Sequence, residues 1–377
     1  MFHGPEDFRA EFPMLETVIH LASCSQGALS HGVARALAEF QGTFSKYGNP
    51  WEHWIDRVEQ ARRGFATLIG AHSDEVAVVS CASEGAYQAA SGISWGSGEA
   101  VVTTDLEFPS IAHVWLAQRQ RGVTVRYAET GTGFATAEAY GRVIDDATRL
   151  VSVPLVTYRH GQRLPVDEIT ALARHRGAQV LVDAYQAVGV EPVNVASLDC
   201  DYLVSGANKY LLGLPGLAFL YVRNGTARDL EPQLTGWFGR VEPFAFDPRR
   251  LDFAPTARRY EIGTPPVPAA YGAVAGMRLL SQTDPAAVAT HVRGLTAYLH
   301  ELLTAQGEDI ASPATDDLRG PQVALHDHDP NDLAGYLAAR RITTSPRNGL
   351  LRLAVHYYTT ESDVESVARE ISRYRTS

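Results

Sequence analysis

The amino-acid sequence predicts an α/β layered fold built on a largely buried, mainly parallel sheet. Two observations carry this expectation: apolar runs of strand length recur between residues 75 and 222, and helix-length segments separate most of them. Composition agrees, since 377 residues with 45% hydrophobic, 20% charged and 9% aromatic side chains describe a globular chain able to bury a substantial core. No repeat, low-complexity tract or charged tail interrupts it.

The expected strands, in order, are 75–80 (EVAVVS), 100–104 (AVVTT), 123–127 (VTVRY), 149–153 (RLVSV), 179–182 (QVLV), 201–205 (DYLVS) and 217–222 (LAFLYV). A short Gly- and Pro-containing stretch joins the last two, too little chain for a helical crossover, so one antiparallel strand is expected there. From about 225 to 268 the sequence is loop-rich, with GWFGR and TPPVP, and reads as a domain junction. Helical periodicity returns near 269–281, and the rest through 373 reads as helix, strand, helix, strand and helix. The organisation expected is an amino-terminal arm over 1–20 packing with the smaller unit, a large unit over 21–264 and a smaller α/β unit over 265–377.

Charge narrows the partners. Thirty-three basic and 43 acidic residues leave a formal charge of −10, which gives no general attraction to nucleic acid or to anionic membranes. No apolar run approaches the roughly 20 residues of a spanning helix, and MFHGPEDFRAEF has neither a basic nor an apolar leader segment, so a cytoplasmic location is expected. The three cysteines, Cys24, Cys81 and Cys200, are far apart and lack CxxC spacing, so reduced thiols are expected, with no disulfide framework and no metal site.

Lysine usage is more informative. Only Lys46 and Lys209 are lysines, against 31 arginines. Arginine stays protonated, whereas lysine in a suitable environment loses its proton and attacks carbonyls. Lys209 lies in SGANKYLLGLPG, after a strand-like run, where a solvated loop residue is the plain alternative. Asp183 ends the run in VLVDAYQAVG, at the strand end where ligands of open α/β sheets gather, although such a carboxylate also serves as a turn or helix cap. In VVSCASEGAYQAASG, Ser83 opens a helix whose free amides suit a phosphate, and it reads equally as an N-cap with Glu84 on the helix dipole. A phosphate cradle, a carboxylate and an isolated lysine at successive strand ends are together what pyridoxal phosphate requires.

With these motifs in place the chain resembles the class V aminotransferases, the pyridoxal-phosphate enzymes of fold type I that include cysteine desulfurases, isopenicillin N epimerase and kynureninase. The likeness runs over nearly the whole chain through SCASEG, LEFPS, VDAYQAVG, SGANK, RRYEIGTP and LRLAVHYYTTESDV. It implies a large domain with a mixed, mostly parallel sheet between helices and a smaller α/β carboxyl-terminal domain. It implies pyridoxal 5'-phosphate held as a Schiff base by Lys209, which also shuttles the substrate α-proton, with Asp183 keeping the ring nitrogen protonated. Gln186 is expected on the phenolic oxygen, and Ala82 and Ser83, helped by Ser205 and Asn208, on the phosphate. Phe108 is expected to stack on the ring, and Thr264 to reach the phosphate across a homodimer interface. Arg352 is expected to bind the substrate α-carboxylate, with Arg347 a second anion contact.

Departures from the family pattern shape the functional expectation. RRITTSPRNGLLRLAV lacks the nucleophilic cysteine that desulfurases carry before the terminal strand, and none of the three cysteines substitutes by position, which disfavours persulfide chemistry. Phe108 stands where desulfurases place a stacking histidine and cannot relay protons. Tyr185 stands where relatives place a small residue beneath the ring, either crowding it, turning away into the core or lending its phenol to acid/base work. Tyr158 and Arg159, and more weakly Gln26, are expected to line the substrate pocket. Ser25, Trp51, Trp54, His160, Trp237 and Phe238 are further wall candidates with an equally good structural reading. The resemblance thus leads to an enzyme acting on an amino-acid substrate, as a lyase or transferase. Transformation of a cysteine S-conjugate in a biosynthetic pathway such as that of an antibiotic, by C–S cleavage or decarboxylation with deamination, is favoured. Transamination or epimerisation of a small amino acid is the alternative, and a non-catalytic protein of the same fold a further one.

Overall fold

The computed structural model describes residues 1–131, 133–226 and 230–376. After a short strand β1 (Ile19–His20), all seven expected runs are strands: β2 (Val76–Val79), β3 (Ala100–Thr104), β4 (Thr124–Ala128), β5 (Thr148–Pro154), β6 (Gln179–Asp183), β7 (Tyr202–Gly206) and β8 (Ala218–Val222). They form one sheet in the order β2-β8-β7-β6-β5-β3-β4. β8 runs antiparallel to both neighbours and every other pair is parallel, so the antiparallel strand falls where the short β7–β8 link requires it.

Side chains alternate between the sheet's two faces. Val101, Leu150, Leu181, Val204 and Leu220 face the helices Ala82–Gly92 and Pro109–Ala117, while Val151, Val153, Val182, Leu203 and Phe219 join the core on the other face. Burial on both sides is why the strands read as near-continuous apolar runs. The chain moves outward from β3 to β4 and returns on the other side of β3 at β5, and that reversal opens a crevice at the carboxyl ends of the strands.

A second sheet follows: β9 (Gln322–His326), β11 (Ser345–Arg347) and β12 (Leu350–Ala354) pair antiparallel in the order β11-β12-β9, while β10 (Ile342–Thr343) pairs in parallel with β1. The amino-terminal residues lie against this region. Phe8 packs on the rings of His356, Tyr357 and Tyr358, and Arg9 Nη1 donates to Asp363 at 2.7 Å. The helix Val267–Leu280, which the sequence places at the start of the smaller unit, packs along helices His31–Tyr47 and Trp51–Leu68. Gly276 lets the same helix also lie close against the Leu211–Leu212 backbone, since a Cβ there would lie 2.3 Å from the Leu211 carbonyl. Among the described residues no helix is long and apolar enough to cross a membrane.

A buried ion pair fixes β2 beneath the 257–264 segment. Arg62, on helix Trp51–Leu68, donates to Glu261 at 2.5 Å and to the Val76 carbonyl at 2.6 Å, while the same Glu261 oxygen accepts the Val78 N–H at 2.8 Å. Removing one partner leaves the other charged, buried and partly uncompensated. Glu261→Ala is therefore expected to destabilise the protein by about 3 kcal/mol, read as a lowered urea midpoint, whereas an unchanged midpoint would show the pair to be incidental.

Candidate active site

Five strand ends converge on a cavity of about 220 Å³. Ala82 and Ser83 enter it after β2, Phe108 after β3, Pro154, Val156 and Tyr158 from the end of β5, Asp183, Tyr185 and Gln186 from β6, and Lys209 after β7. Parallel register places Asp183 beside Pro154 on one side and Val204 on the other. The backbone at Lys209 is held tightly: the Gly27 N–H donates to the Asn208 carbonyl at 2.8 Å, and a Cβ on Gly27 would come 2.4 Å from the Lys209 carbonyl.

Burial sets the electrostatics. It lowers the Lys209 ammonium to about 8, against the opposing pull of Asp183. Asp183 is pushed up by burial, opposed by the Tyr185 N–H, which donates to its Oδ1 at 2.9 Å, and by Lys209. Lys209 Nζ stands 4.3 Å from the centre of the Tyr185 ring and 5.5 Å from that of Phe108, so two aromatic rings flank the amine. The Tyr185 ring lies on Gly206, where a Cβ would collide with it at 1.9 Å, and its hydroxyl donates to Asn208 Oδ1 at 2.6 Å. The phenol is raised by burial and by Asp183, so at neutral pH it is a hydrogen-bond donor and not a base. Tyr158 meets Phe108 edge to face at 5.1 Å.

The polar groups left open suit a phosphorylated ring. Helix Ala82–Gly92 begins without a side-chain cap, so its first-turn amides beside Ala82 and Ser83 are free to meet an anion. Gln186 donates to the Cys24 carbonyl at 3.1 Å while its Oε1 is buried without a partner, an open position on an otherwise fixed amide. Phe108 keeps 37% of its surface exposed, a large apolar ring with one face uncovered.

Arg352, on β12, reaches over from the second sheet. It is buried, donates to the Tyr158 carbonyl at 2.7 Å and to the carbonyl and hydroxyl of Ser345 at 3.2 and 2.6 Å, and so retains N–H groups for an incoming carboxylate. Arg347 shares the hairpin face with Arg352, is exposed, and like Arg352 depresses the Lys209 ammonium. Arg159 is exposed next to Tyr158.

Several expected site residues lie elsewhere. Ser205 is turned away, sharing its sheet face with Leu203 and Phe219 instead of with Val204, because one residue of register reverses the direction of a strand side chain. Asn208 is spent on Tyr185, the Ser25 carbonyl and Gln26 Oε1, which also withdraws Gln26 and Ser25 from the cavity. Thr264 is exposed and outside the cavity of its own chain. Trp51, Trp237, Phe244 and Phe246 line a separate surface recess, Phe238 stacks edge-on against Trp237, Trp54 packs on Phe40, and His160 is buried against Thr157. Conversely, Cys81, Ser110, Ile111, Pro154 and Val156 line the cavity and Glu107 is buried behind Phe108, although no motif by itself marks them as site residues. The position of Pro154 and Val156 on the β5 strand end was the available signal.

A mixed α/β sheet with a buried lysine, a facing carboxylate and an uncapped helix at its carboxyl edge defines an enzyme of the cofactor-binding α/β class. The aminotransferase class-V family model matches residues 34–367, and the chain belongs to that family. It is 36% identical over 372 residues to an uncharacterised aminotransferase, YcbU, of Bacillus subtilis, covering 99% of this chain and 98% of that one. Over 315 residues it is 31% identical to a kynureninase of Pseudomonas fluorescens, covering 78% and 73%. Its fold superposes with a TM-score of 0.89 on a cystine C–S lyase, C-DES, solved in complex with its reaction product cysteine persulfide, at 21% identity and 96% and 99% coverage. The protein is thus a pyridoxal 5'-phosphate-dependent enzyme of class V.

Two outcomes follow for cofactor loading. Because neutral amine is needed for attack and Lys209 sits at about 8, the rate at which added pyridoxal phosphate becomes attached should rise roughly tenfold per pH unit below that value and level off above it. Stopped-flow absorbance reads this, and a rate that keeps rising to the ordinary lysine range would refute the depressed value. Gly206→Ala, which drives a methyl group into the Tyr185 ring, should weaken cofactor affinity on the order of tenfold by fluorescence titration, and unaltered affinity would mean that Tyr185 is no floor for the ring.

Proposed function

We propose that the enzyme transforms a cysteine S-conjugate, with Lys209 as the catalytic amine and Arg352 as the carboxylate anchor. The observation that carries the reading is the convergence of a buried Lys209 and Asp183 beneath an aromatic pair, with Arg352 bound to the Tyr158 carbonyl at their edge. Bound pyridoxal phosphate supplies an electron sink for the substrate α-carbon. Asp183 holds the proton of the ring nitrogen. Ala82, Ser83 and the first-turn amides hold the phosphate, Gln186 meets the phenolic oxygen, and Phe108 and Tyr185 close the two faces of the ring. Arg352 turns the substrate so that its α-hydrogen faces Lys209. Lys209 Nζ takes that proton, and the freed pair forms a Cα=Cβ bond as the β-sulfur departs with the C–S pair. Lys209 returns the proton to the sulfur to give the thiol, and water then hydrolyses the unsaturated amine to pyruvate and ammonia.

A hairpin stands in for the persulfide machinery of desulfurases. Arg347 pairs with Leu350 across a two-residue turn, Asn348 and Gly349, both in the left-handed region, so the segment before the terminal strand is a tight turn without cysteine and not a loop presenting a nucleophile. This supports C–S cleavage, or decarboxylation with deamination, without a protein-bound persulfide. The relation to an aminotransferase favours transamination or epimerisation of a small amino acid as the second reading. Within the same proposal the enzyme is a cytoplasmic homodimer serving a biosynthetic pathway such as that of an antibiotic. Thr264 then reaches the partner's phosphate site, and Arg347, Arg159 and Tyr158 border the substrate.

Adding an S-alkylcysteine to cofactor-loaded enzyme should release thiol and pyruvate while the starting absorbance spectrum returns. Accumulation of the pyridoxamine form without thiol would overturn cleavage in favour of transamination, and the failure of Lys209→Ala to abolish turnover would overturn the mechanism. Arg352→Gln should raise KM by on the order of a hundredfold through loss of charge-assisted hydrogen bonds, with cofactor affinity unchanged.

A further inference from the structure

One buried acid has no part in the reading above. Glu107 follows β3, directly precedes Phe108 and is 4% exposed. Its Oε1 accepts the Phe108 backbone N–H at 2.9 Å, and its Oε2 lies 2.9 Å from the Ser152 hydroxyl and 3.5 Å from that of Thr103. Thr103 on β3 and Ser152 on β5 follow the paired Val102 and Val151, and Ser152 pairs with Leu181, one side-chain step below the Pro154 and Asp183 pair on the same face. Glu107 therefore packs under the rung that presents Asp183. The charged group that acts on it most is Asp183, of the same sign; Glu107 in turn raises the buried Tyr140 phenol, together with Asp105, and Lys209 acts on Asp183.

Two carboxylates in one desolvated pocket do not both ionise unless a cation separates them. The cation here, Lys209, acts on Asp183, and among the described residues Glu107 has no basic partner. We propose that Glu107 is a positioning residue that works as a neutral acid: it carries a proton, holds the Phe108 turn against β3 and β5, and leaves Asp183 the one carboxylate charge available to the ring nitrogen. Burial and the Asp183 charge push Glu107 up to about 8, in keeping with this. The protonated oxygen donates to Ser152, whose hydroxyl accepts as readily as it donates. Phe108, the ring that faces the cofactor, thereby depends on an acid that never contacts the cofactor.

The sign of the pH effect follows from linkage. An acid held above its unfolded value, about 4.3 for Glu, makes the folded protein bind more protons than the unfolded chain, so its contribution to stability declines as pH rises from about 4 to about 8.

The role rests on Asp183 serving the ring nitrogen, so the test is made on both cofactor-free and loaded protein. In cofactor-free protein at pH 6, difference infrared spectroscopy should show a protonated-carboxyl stretch that Glu107→Gln removes, that Asp183→Asn retains, and that fades by pH 9. Glu107→Gln should also soften the fall in thermal midpoint between pH 5 and 8. Fluorescence titration should find the affinity of Glu107→Gln for pyridoxal phosphate within about threefold of the parent, and that of Glu107→Ala, which strands the Phe108 N–H, weaker on the order of tenfold. Absence of the band, its loss in Asp183→Asn alone, or a Glu107→Gln variant as impaired as Glu107→Ala would overturn the proposal. Unaltered cofactor affinity and spectrum in Asp183→Asn would instead refute the ring-nitrogen assignment while leaving the infrared result standing.

Discussion

Placing ionisable groups at the edge of a sheet buried on both faces constrains everything around them. In such surroundings a charge is tolerated only with a partner or with hydrogen bonds aimed at it. The same local device recurs at two strand ends: Asp183 takes the amide of Tyr185, and Glu107 takes the amide of Phe108. Each carboxyl group fixes the turn leaving its strand, and each turn delivers an aromatic ring to the cavity. Desolvation moves Lys209 and Asp183 toward neutrality from opposite sides. Their mutual attraction opposes the shift, which leaves an amine that loses its proton near neutral pH beside an acid that stays available to a cationic ring.

Such a lysine is useful only if its backbone does not move, and the surroundings of Lys209 are built to that end. His356 Nδ1 accepts the Tyr357 N–H at 2.7 Å, which leaves Nε2 as the donor to the Tyr210 carbonyl at 3.0 Å, one residue past the lysine. Burial lowers His356 to about 4, so it stays neutral and the tautomer is fixed. Phe8 stacks on its ring from the amino-terminal segment, and Tyr358, bonded to Ser23 and to the Ala28 amide, carries the contact on to the Gly27 wedge. The lysine turn is thus held at two points, by Gly27 on the Asn208 carbonyl and by His356, backed by Phe8, on the Tyr210 carbonyl.

How much of this the sequence discloses depends on what kind of signal each residue leaves. The seven strands were legible because double burial writes long apolar runs, and the antiparallel β8 because its connection is too short to cross over. Lys209 stood out through the scarcity of lysine, and Asp183 through its place at a strand end. Glu107 left no such mark: Asp183, Asp201, Glu261 and Asp363 are buried as well, and Glu107 differs from them in being buried without a basic partner among the described residues, a difference that no run of sequence records. Ser205 was misplaced for a reason the sequence did contain, since alternation along β7 assigns Ser205 and Gly206 to opposite faces and only Gly206 belongs to the cavity side. Asn208 illustrates the opposite limit, because its engagement by Tyr185 and Gln26 depends on contacts across more than twenty and more than 180 residues of chain, which no local pattern encodes.

At the contact between the two sheets, one carbonyl ties structure to chemistry. Tyr158 belongs to the end of β5 in the large sheet, and its carbonyl accepts both Arg352 from β12 and Gln322 from β9. Arg352 is therefore positioned by the wall of the cavity it serves, and Ser345 across the hairpin fixes its other nitrogens. A substrate carboxylate arriving at Arg352 would not have to order a flexible side chain, so little binding free energy is lost to conformational entropy. The same arrangement makes geometry at the α-carbon a function of sheet-to-sheet register. If Arg352 anchors the substrate carboxylate as proposed, a small slide of β12 relative to β5 would shift that anchor with respect to Lys209, and misplacement on the scale of an ångström is enough to change rate by about two orders of magnitude. The hairpin turn at Asn348 and Gly349, in the left-handed conformations that a two-residue turn requires, fixes β11 against β12 and so keeps Ser345 opposite Arg352.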